Sequence, residues 1–282
     1  MTTATIQSEI GDKLMQQFVA LIYEVTGIRI SEQKKALLSN RLRRRLRATG
    51  IVSFDAYYKH LKSLKTDHDE WDHFLQEVTT HETYLFRDQQ HWTWLEKNYL
   101  PEMIALASKG KRQRSLRIWS AASSTGDEAY TTAVCISQAL LGSPGWKVNI
   151  VGTDIGIGAI EQANRAEFSL RAMRLVPAEL KSKYFTETVP DTTWKAKPAL
   201  TSMIRFRQHN LLEPLAEMPF DLVFLKNVMI YFDDTSKLRV LAHIRKQIVP
   251  GGLLLAGAAE GVSDLLEGYK RLQPWLFQKL PS

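Results

Sequence analysis

Between residues 116 and 141 an apolar run of strand length, a turn of small residues and a helical run follow one another, and that order leaves few folds open. Leu116 to Ala122 is mostly apolar, Ser123 to Gly126 turns, and Asp127 and Glu128 precede a helical run from Ala129 to Leu141. Strand, tight turn and helix make the first unit of a nucleotide-binding α/β fold. The turn lets a ligand approach the backbone, and the helix start offers free N–H groups. Gly126 is the one glycine of the turn, so the three-glycine dinucleotide pattern is not met and a nicotinamide-dependent oxidoreductase is disfavoured.

The same alternation continues downstream. Val148 to Asp154 reads as a second strand ending in an acid, followed by a helix from Ile157 to Ala166. Pro219 to Leu225, apolar apart from Asp221, reads as a buried strand of the parallel type. Its C-terminal end delivers Lys226, Asn227 and, a few residues on, Tyr231. A helix from Thr235 to Ile248 stops at Pro250-Gly251-Gly252, and Leu253 to Gly257 is the next strand. Tyr269 to Leu272 and Trp275 to Leu280 suggest two closing strands. Strands alternating with helices imply a parallel sheet covered on both faces, with ligand at the carboxyl ends of the strands. Asp154 then stands where ribose hydroxyls are held in such folds; the plainer reading is a helix cap. Residues of about 172–208 have mixed character, with a turn region at Asp191 to Pro198 and an alternating run at Thr201 to His209, and are expected to form a small inserted subdomain.

Ahead of this lies a stretch of helical patterning. Leu14, Phe18, Leu21, Ile22 and Val25 recur at three- and four-residue spacing, giving an amphipathic helix from Asp12 to Thr26 closed by Gly27. Residues 1–10 are polar and expected to fray. Ser31 caps the next helix, whose core face is Leu38, Leu42 and Leu46. Its other face carries Lys34, Lys35, Arg41, Arg43, Arg44, Arg45 and Arg47, with no acid from Gln33 to Thr49. Such a face is either solvated or a dock for an acidic partner, and uncompensated like charge costs helix stability. Arg43-Arg44-Arg45 would also suit phosphates. Ser53 caps a helix through Leu64, a polar turn spans Lys65 to Glu70, and Trp71 to Val78 is helical, so residues 1–88 read as a small all-helical domain and 89–282 as the α/β domain. Thr79 to Asp88 connects the two, ahead of an aromatic helix, and would point Thr83 and Arg87 into a cleft between them.

The net charge of +7 favours an acidic partner: nucleic acid, membrane or protein. No apolar run is long enough to span a bilayer and no secretory signal is visible at Met1 to Ile10. The single cysteine, Cys135, lies in a helical apolar run and reads as a core residue, which fits a reducing cytoplasm. The seven histidines lack ligand spacing, so no metal site is expected.

A small-residue turn, an acid after the second strand and Pro-Gly-Gly before the fifth together resemble the class I S-adenosylmethionine-dependent methyltransferases. Thr79 to Asp88, Trp119 to Tyr130, Phe220 to Phe232 and Gly251 to Glu260 resemble more closely the four signature blocks of the chemotaxis receptor methyltransferases, the CheR family; Asn227-Val-Met-Ile-Tyr-Phe232 is the most specific. The resemblance covers nearly the whole chain. It implies a helical N-terminal domain joined to a Rossmann-like methyltransferase domain bearing a small β subdomain. It implies methyl transfer from S-adenosylmethionine to glutamate side chains of chemoreceptors, giving methyl esters. By resemblance His81, Thr83, Arg87, Glu128, Asp154, Asn210, Leu211, Lys226 and Asn227 would contact the cofactor, and Arg87 and Tyr231 would lie close to the transferred methyl group.

Three departures stand out. His81 replaces the Asn of the best-known members, Lys226 replaces Arg, and Ala258-Ala259-Glu260 replaces His-Ser-Glu. The segment 186–204 lacks the glycine-rich loop of members that grip a receptor's C-terminal pentapeptide, so a pentapeptide-independent enzyme is expected. The partner would be the acidic helical region of a chemoreceptor in the cytoplasm, docked on Arg41, Arg43, Arg44, Arg45 and Arg47, with neither nucleic acid nor membrane insertion involved. The main alternative is a nucleic-acid methyltransferase using that helix on phosphates; the Pro-Pro-aromatic turn usual in base-amino methylation is absent after the fourth strand. A non-enzymatic cofactor-binding module is the third reading.

Overall fold

The computed structural model describes residues 9–65 and 67–281. Four helices come first: α1 (Asp12–Thr26), α2 (Lys35–Thr49), α3 (Phe54–Ser63) and α4 (Asp69–Val78). Their apolar faces close on one core, in which Phe18, Leu42, Leu46, Phe54, Tyr57 and Phe74 are fully buried. The expected core face of α2 is buried as the periodicity requires. Ser53 Oγ accepts from Ala56 N at the start of α3, and Ser31 Oγ accepts from Gln33 N in a short 3₁₀ turn that leads into α2. The expected fraying of residues 1–10 falls mostly on residues 1–8, outside the described residues. Ile10 is no part of it: its side chain is buried in the helical core and its N–H donates to Ser39 Oγ.

A helical rod then carries α5 (Gln89–Trp94), a wide π turn (Leu95–Tyr99) and α6 (Leu100–Ser108). Pro101 has no N–H for the carbonyl four residues back, and the wide turn sits just before it. The α/β domain follows as β1 (Ser115–Ala121), α7 (Asp127–Ala139), β2 (Lys147–Asp154) and α8 (Ile157–Arg165). Next come β3 (Glu167–Ser169), α9 (Leu170–Met173), α10 (Ala178–Tyr184), β4 (Phe185–Val189), β5 (Thr193–Ala196), α11 (Pro198–Thr201) and β6 (Ile204–Gln208). The chain ends with β7 (Phe220–Leu225), α12 (Asp234–Lys246), β8 (Ile248–Ala256), β9 (Tyr269–Gln273) and β10 (Leu276–Lys279).

The large sheet has the order β6-β2-β1-β7-β8-β10-β9, parallel from β6 to β8 and antiparallel at β10 and β9. Strand order reverses at β1, between β2 and β7, so a crevice opens at the carboxyl ends of these three strands. One apolar core lies on each face.

The insertion differs from its expected bounds. A separate sheet, β3-β5-β4, starts at Glu167 and includes Thr193–Ala196, where a turn was expected. β6 does not belong to it: it pairs in parallel with β2 at the edge of the large sheet. Phe206 explains the placement. Its ring stacks toward Tyr130 at 5.7 Å and fills the space that Gly126 leaves; a Cβ on Gly126 would lie 2.7 Å from that ring.

Candidate active site

A cavity opens between the helical domain and the carboxyl ends of β1, β2 and β7. Its walls come from the β1–α7 turn (Ala122, Ser123, Ser124, Glu128), the end of β2 (Asp154, Ile155), the loop after β7 (Lys226, Asn227, Val228, Tyr231) and the connector 78–87. The helical domain closes it with Ile28, Arg29, Ile30, Lys34, Leu37 and Arg41. Seven described non-glycine residues have left-handed backbone, and five cluster here: Phe86, Asp88, Ala122, Ser124 and Asn227. Each such residue costs on the order of 1–3 kcal/mol, and strain of this kind persists where surrounding contacts over-determine it.

Asp154 is buried, and its two oxygens accept from backbone N–H groups: Oδ2 from Ser124 at 2.7 Å and Oδ1 from Gly156 at 2.9 Å. Each oxygen keeps a lone pair for another donor. His81 lies beside it, Nδ1 to Oδ1 at 3.4 Å, with Nε2 2.7 Å from Thr79 Oγ1. Burial pushes the imidazole below its ordinary 6.5 against the pull of Asp154, and Arg41 adds to the depression. Thr79 Oγ1 in turn donates its own proton to Leu75 O at 2.6 Å.

Glu128, in the first turn of α7, accepts from Ser120 Oγ at 2.7 Å and lies 3.4 Å from Lys226 Nζ. The Lys226 side chain is almost wholly buried; its Nζ also reaches Asp88 Oδ2 at 3.1 Å and sits 5.3 Å from the centre of the Trp92 ring. A buried cation so paired holds both acids in place. Burial alone would raise Asp88, but Lys226 outweighs it and keeps Asp88 below 3.8. Burial and the same cation push His91 down to about 4, so it stays neutral beside them.

Arg87 stands between two left-handed residues on the connector. Its Nη1 donates to Glu82 O at 3.1 Å, and its carbonyl accepts from Trp92 Nε1 at 2.6 Å. Thr83, Arg87 and Tyr231 all line the cavity. Tyr231 ends a 3₁₀ turn, Met229–Tyr231, which is organised by a residue that sequence reasoning gave no role. Glu260 is 1% exposed; its carboxylate accepts from Asn227 N and, at 2.7 Å, from Met229 N. Nothing local in the sequence marks an acid from after β8 as the anchor of the loop after β7; burial alone reveals it. Lys226 has likewise gained Asp88 as a partner.

Of the residues expected around the cofactor, His81, Thr83, Arg87, Glu128, Asp154, Lys226 and Asn227 are brought together. Asn210 and Leu211 lie outside the lining. Asn210 Nδ2 donates to Val25 O at 2.7 Å, tying the α/β domain to α1.

The basic face of α2 is not the uncompensated stripe its sequence suggests. Packing against α4 supplies the acids: Arg45 makes a two-pronged pair with Glu70, which also accepts from Tyr57 OH, and Arg44 Nε reaches Glu77 at 2.6 Å. Lys35 pairs with Asp12. Arg41 turns inward, donating to Val78 O at 2.7 Å and Thr80 Oγ1 at 2.9 Å. Arg43, Arg44 and Arg47 remain on the outer side, with Arg44 and Arg47 exposed.

The cavity suits a polar, cationic cofactor. Ser123 Oγ and Ser124 Oγ line it and are buried without a hydrogen-bond partner, and two acids face it. Comparison with known proteins agrees. A profile of the CheR methyltransferase SAM-binding domain matches residues 81–274, and one of the CheR methyltransferase all-alpha domain matches residues 13–79. The chain is similar to chemotaxis protein methyltransferase 2 of Pseudomonas aeruginosa, 36% identical over 250 residues, covering 87% of this chain and 85% of that protein. It is similar to the chemotaxis protein methyltransferases of Salmonella typhimurium and Escherichia coli, each 32% identical, covering 92% and 91% of this chain and 88% and 87% of those proteins. With both domain profiles matched in order, and with relatives aligned over most of their own length, the chain belongs to the CheR methyltransferase family.

Proposed function

We propose that this protein transfers the methyl group of S-adenosylmethionine to glutamate carboxylates of chemoreceptors, forming methyl esters, in chemotaxis adaptation. The observation that carries the reading is the cavity that joins Asp154 and Glu128 on one side to Arg87 and Tyr231 on the other. S-adenosylmethionine, when bound, supplies an electrophilic methyl group on a sulfonium leaving group. Asp154 would accept hydrogen bonds from the ribose hydroxyls. Glu128, held by Ser120 and Lys226, would face the cationic methionyl end. His81, Thr83 and Asn227 complete the lining; Asn210 and Leu211, cofactor contacts by family resemblance, lie outside it. An acceptor glutamate, with an ordinary pKa of about 4.3, is already a nucleophile at neutral pH and needs no general base. What the protein must do is desolvate and align it. Arg87 would orient the carboxylate through charge-assisted bonds, and Tyr231 would donate to the oxygen that does not attack.

The proposed partner is an acidic helical region of a chemoreceptor, met by the cationic outer side of α2, and the proposed setting is the cytoplasm. No helix among the described residues is long and apolar enough to cross a membrane. The three residues between β4 and β5, Pro190 to Thr192, form a tight turn. That supports a reading in which no receptor tail pentapeptide is gripped.

The test is incubation of the protein with methyl-labelled S-adenosylmethionine and receptor cytoplasmic fragments, with and without their C-terminal pentapeptide, beside RNA. Base-labile label on both receptor fragments at similar rates is the expected result. Label on RNA, or base-stable label on receptor, overturns the ester reading; label that depends on the pentapeptide overturns the tail-independent one.

A second expectation concerns docking. Arg43→Glu with Arg47→Glu should slow receptor methylation about tenfold at low salt and flatten its salt dependence, because exposed charges act mainly by steering association. S-adenosylhomocysteine affinity, read by calorimetry, should not move. An unchanged methylation rate at low salt would remove these arginines from the docking surface.

A further inference from the structure

Tyr231 is held from two sides, and only one of them belongs to the α/β domain. Glu260 gathers the amides of its loop from below. From the other side comes the end of α1. The helix stops at Gly27 with φ 71°, so close to the start of α12 that a Cβ would lie 2.9 Å from Ser236 Oγ and 3.1 Å from a methyl of Leu212. Only glycine combines that backbone with that approach. The chain then runs beside the catalytic loop: Ile28 makes an antiparallel bridge with Phe232, and Arg29 N donates to Tyr231 O at 2.9 Å. One turn back on α1, Tyr23 OH donates to Asp233 Oδ2 at 2.8 Å. The other oxygen of Asp233 accepts from Ser236 N at 2.9 Å and starts α12.

Three consecutive residues, 231, 232 and 233, are therefore each tied to the end of α1. Docking one domain on another needs only apolar contact; directional bonds to successive residues of one loop fix its conformation. We propose that the end of α1 is a clamp that sets the catalytic loop, and that Tyr23 is a positioning residue acting through Asp233 on Tyr231. The helical domain then completes the catalytic centre as well as presenting a docking face. The clamp rests on the reading of Tyr231 as the donor to the non-attacking oxygen of the acceptor carboxylate. Its consequence is kinetic. A loop released from Tyr23 keeps its cofactor contacts at Asn227 but presents Tyr231 less often in line with the acceptor, so the loss falls on turnover.

The experiment uses the full chain with Tyr23→Phe, Tyr231→Phe and the double variant, reading receptor methylation rates and S-adenosylhomocysteine binding. Tyr23→Phe removes one hydroxyl and keeps the ring. It should lower kcat about tenfold while KM for S-adenosylmethionine and product affinity stay within about twofold. In the Tyr231→Phe background it should cost nothing further, since residues acting as a unit are non-additive. A fast Tyr23→Phe enzyme beside a slow Tyr231→Phe enzyme overturns the clamp and leaves the catalytic reading standing. So do losses that multiply in the double variant, or a Tyr23→Phe loss shared equally by cofactor affinity. A full-rate Tyr231→Phe enzyme overturns the catalytic reading and the clamp with it.

Discussion

Asp154→Ala should weaken binding of S-adenosylhomocysteine about a hundredfold in isothermal titration calorimetry, the largest single loss expected at the cofactor end of the cavity. Two ribose hydroxyls donating to one carboxylate make charge-assisted bonds, of which each contributes about 1.5–3 kcal/mol. Losing both, with water repairing part of the loss, leaves about 3 kcal/mol, or two orders of magnitude. Asp154 also gathers the N–H groups of Ser124 and Gly156, so alanine loosens the β1–α7 turn as well. Asp154→Asn separates the two effects. Its carbonyl oxygen still accepts from one backbone donor and one hydroxyl, and the expected loss is nearer tenfold. If a folded Asp154→Ala protein bound S-adenosylhomocysteine as tightly as the parent, the ribose assignment would be wrong.

That prediction was available from the sequence, because an acid at the end of the second strand has a fixed address in this topology. The alternation of strands and helices from 116 onward placed Glu128, Asp154 and Asn227 at one edge of a parallel sheet, and the sheet order puts all three around its point of reversal. Helices α1 and α2 were legible for a similar reason: Phe18, Leu21 and Ile22, and Leu38, Leu42 and Leu46, repeat at the helical period and are buried. Boundaries that depend on distant partners were not legible. Ile204 to Gln208 alternates like any strand, and only Phe206, filling the gap at Gly126, assigns it to the large sheet.

Charge was the other place where local reading stopped short. The run from Lys34 to Arg47 contains no acid, yet Asp12, Glu70 and Glu77 reach it from neighbouring helices. Exposed pairs such as Arg44 with Glu77 contribute little to stability. Arg45 is different, since Glu70 and Tyr57 share its buried corner. A surface inferred from one helix is thus reduced by its packing partners, and the cations left over are those worth testing. The same limit hid the anchors of the candidate active site. Glu260 and Asp88 act on Asn227 and Lys226 across the fold, and neither contact has a spacing that a sequence could display.

Glu260 gives the second large effect, and it should appear in catalysis before stability. Burial raises this carboxyl above its ordinary 4.5, and the loop amides, Asn227 first and then Met229, offset that only in part. A carboxyl whose folded pKa is raised weakens the fold at pH values above 4.5, and the penalty is relieved as pH falls through the folded pKa. The ionised carboxylate therefore carries a stability cost, while its hydrogen bonds shape the loop that carries Asn227 and Tyr231. Glu260→Gln keeps the size but turns one acceptor into a donor facing an N–H group. Removing the buried charge should offset much of the lost hydrogen bonding, so the melting temperature at pH 7 should shift by only a few degrees, with on the order of 1 kcal/mol at stake. On acidification the parent should gain stability relative to Glu260→Gln. Turnover should fall about a hundredfold, because a misplacement near 1 Å at an aligning group costs that much. Methylation kinetics beside thermal melts from pH 5 to 8 measure both, and a folded Glu260→Gln enzyme with parental kcat would show that the loop after β7 holds its shape without this carboxylate.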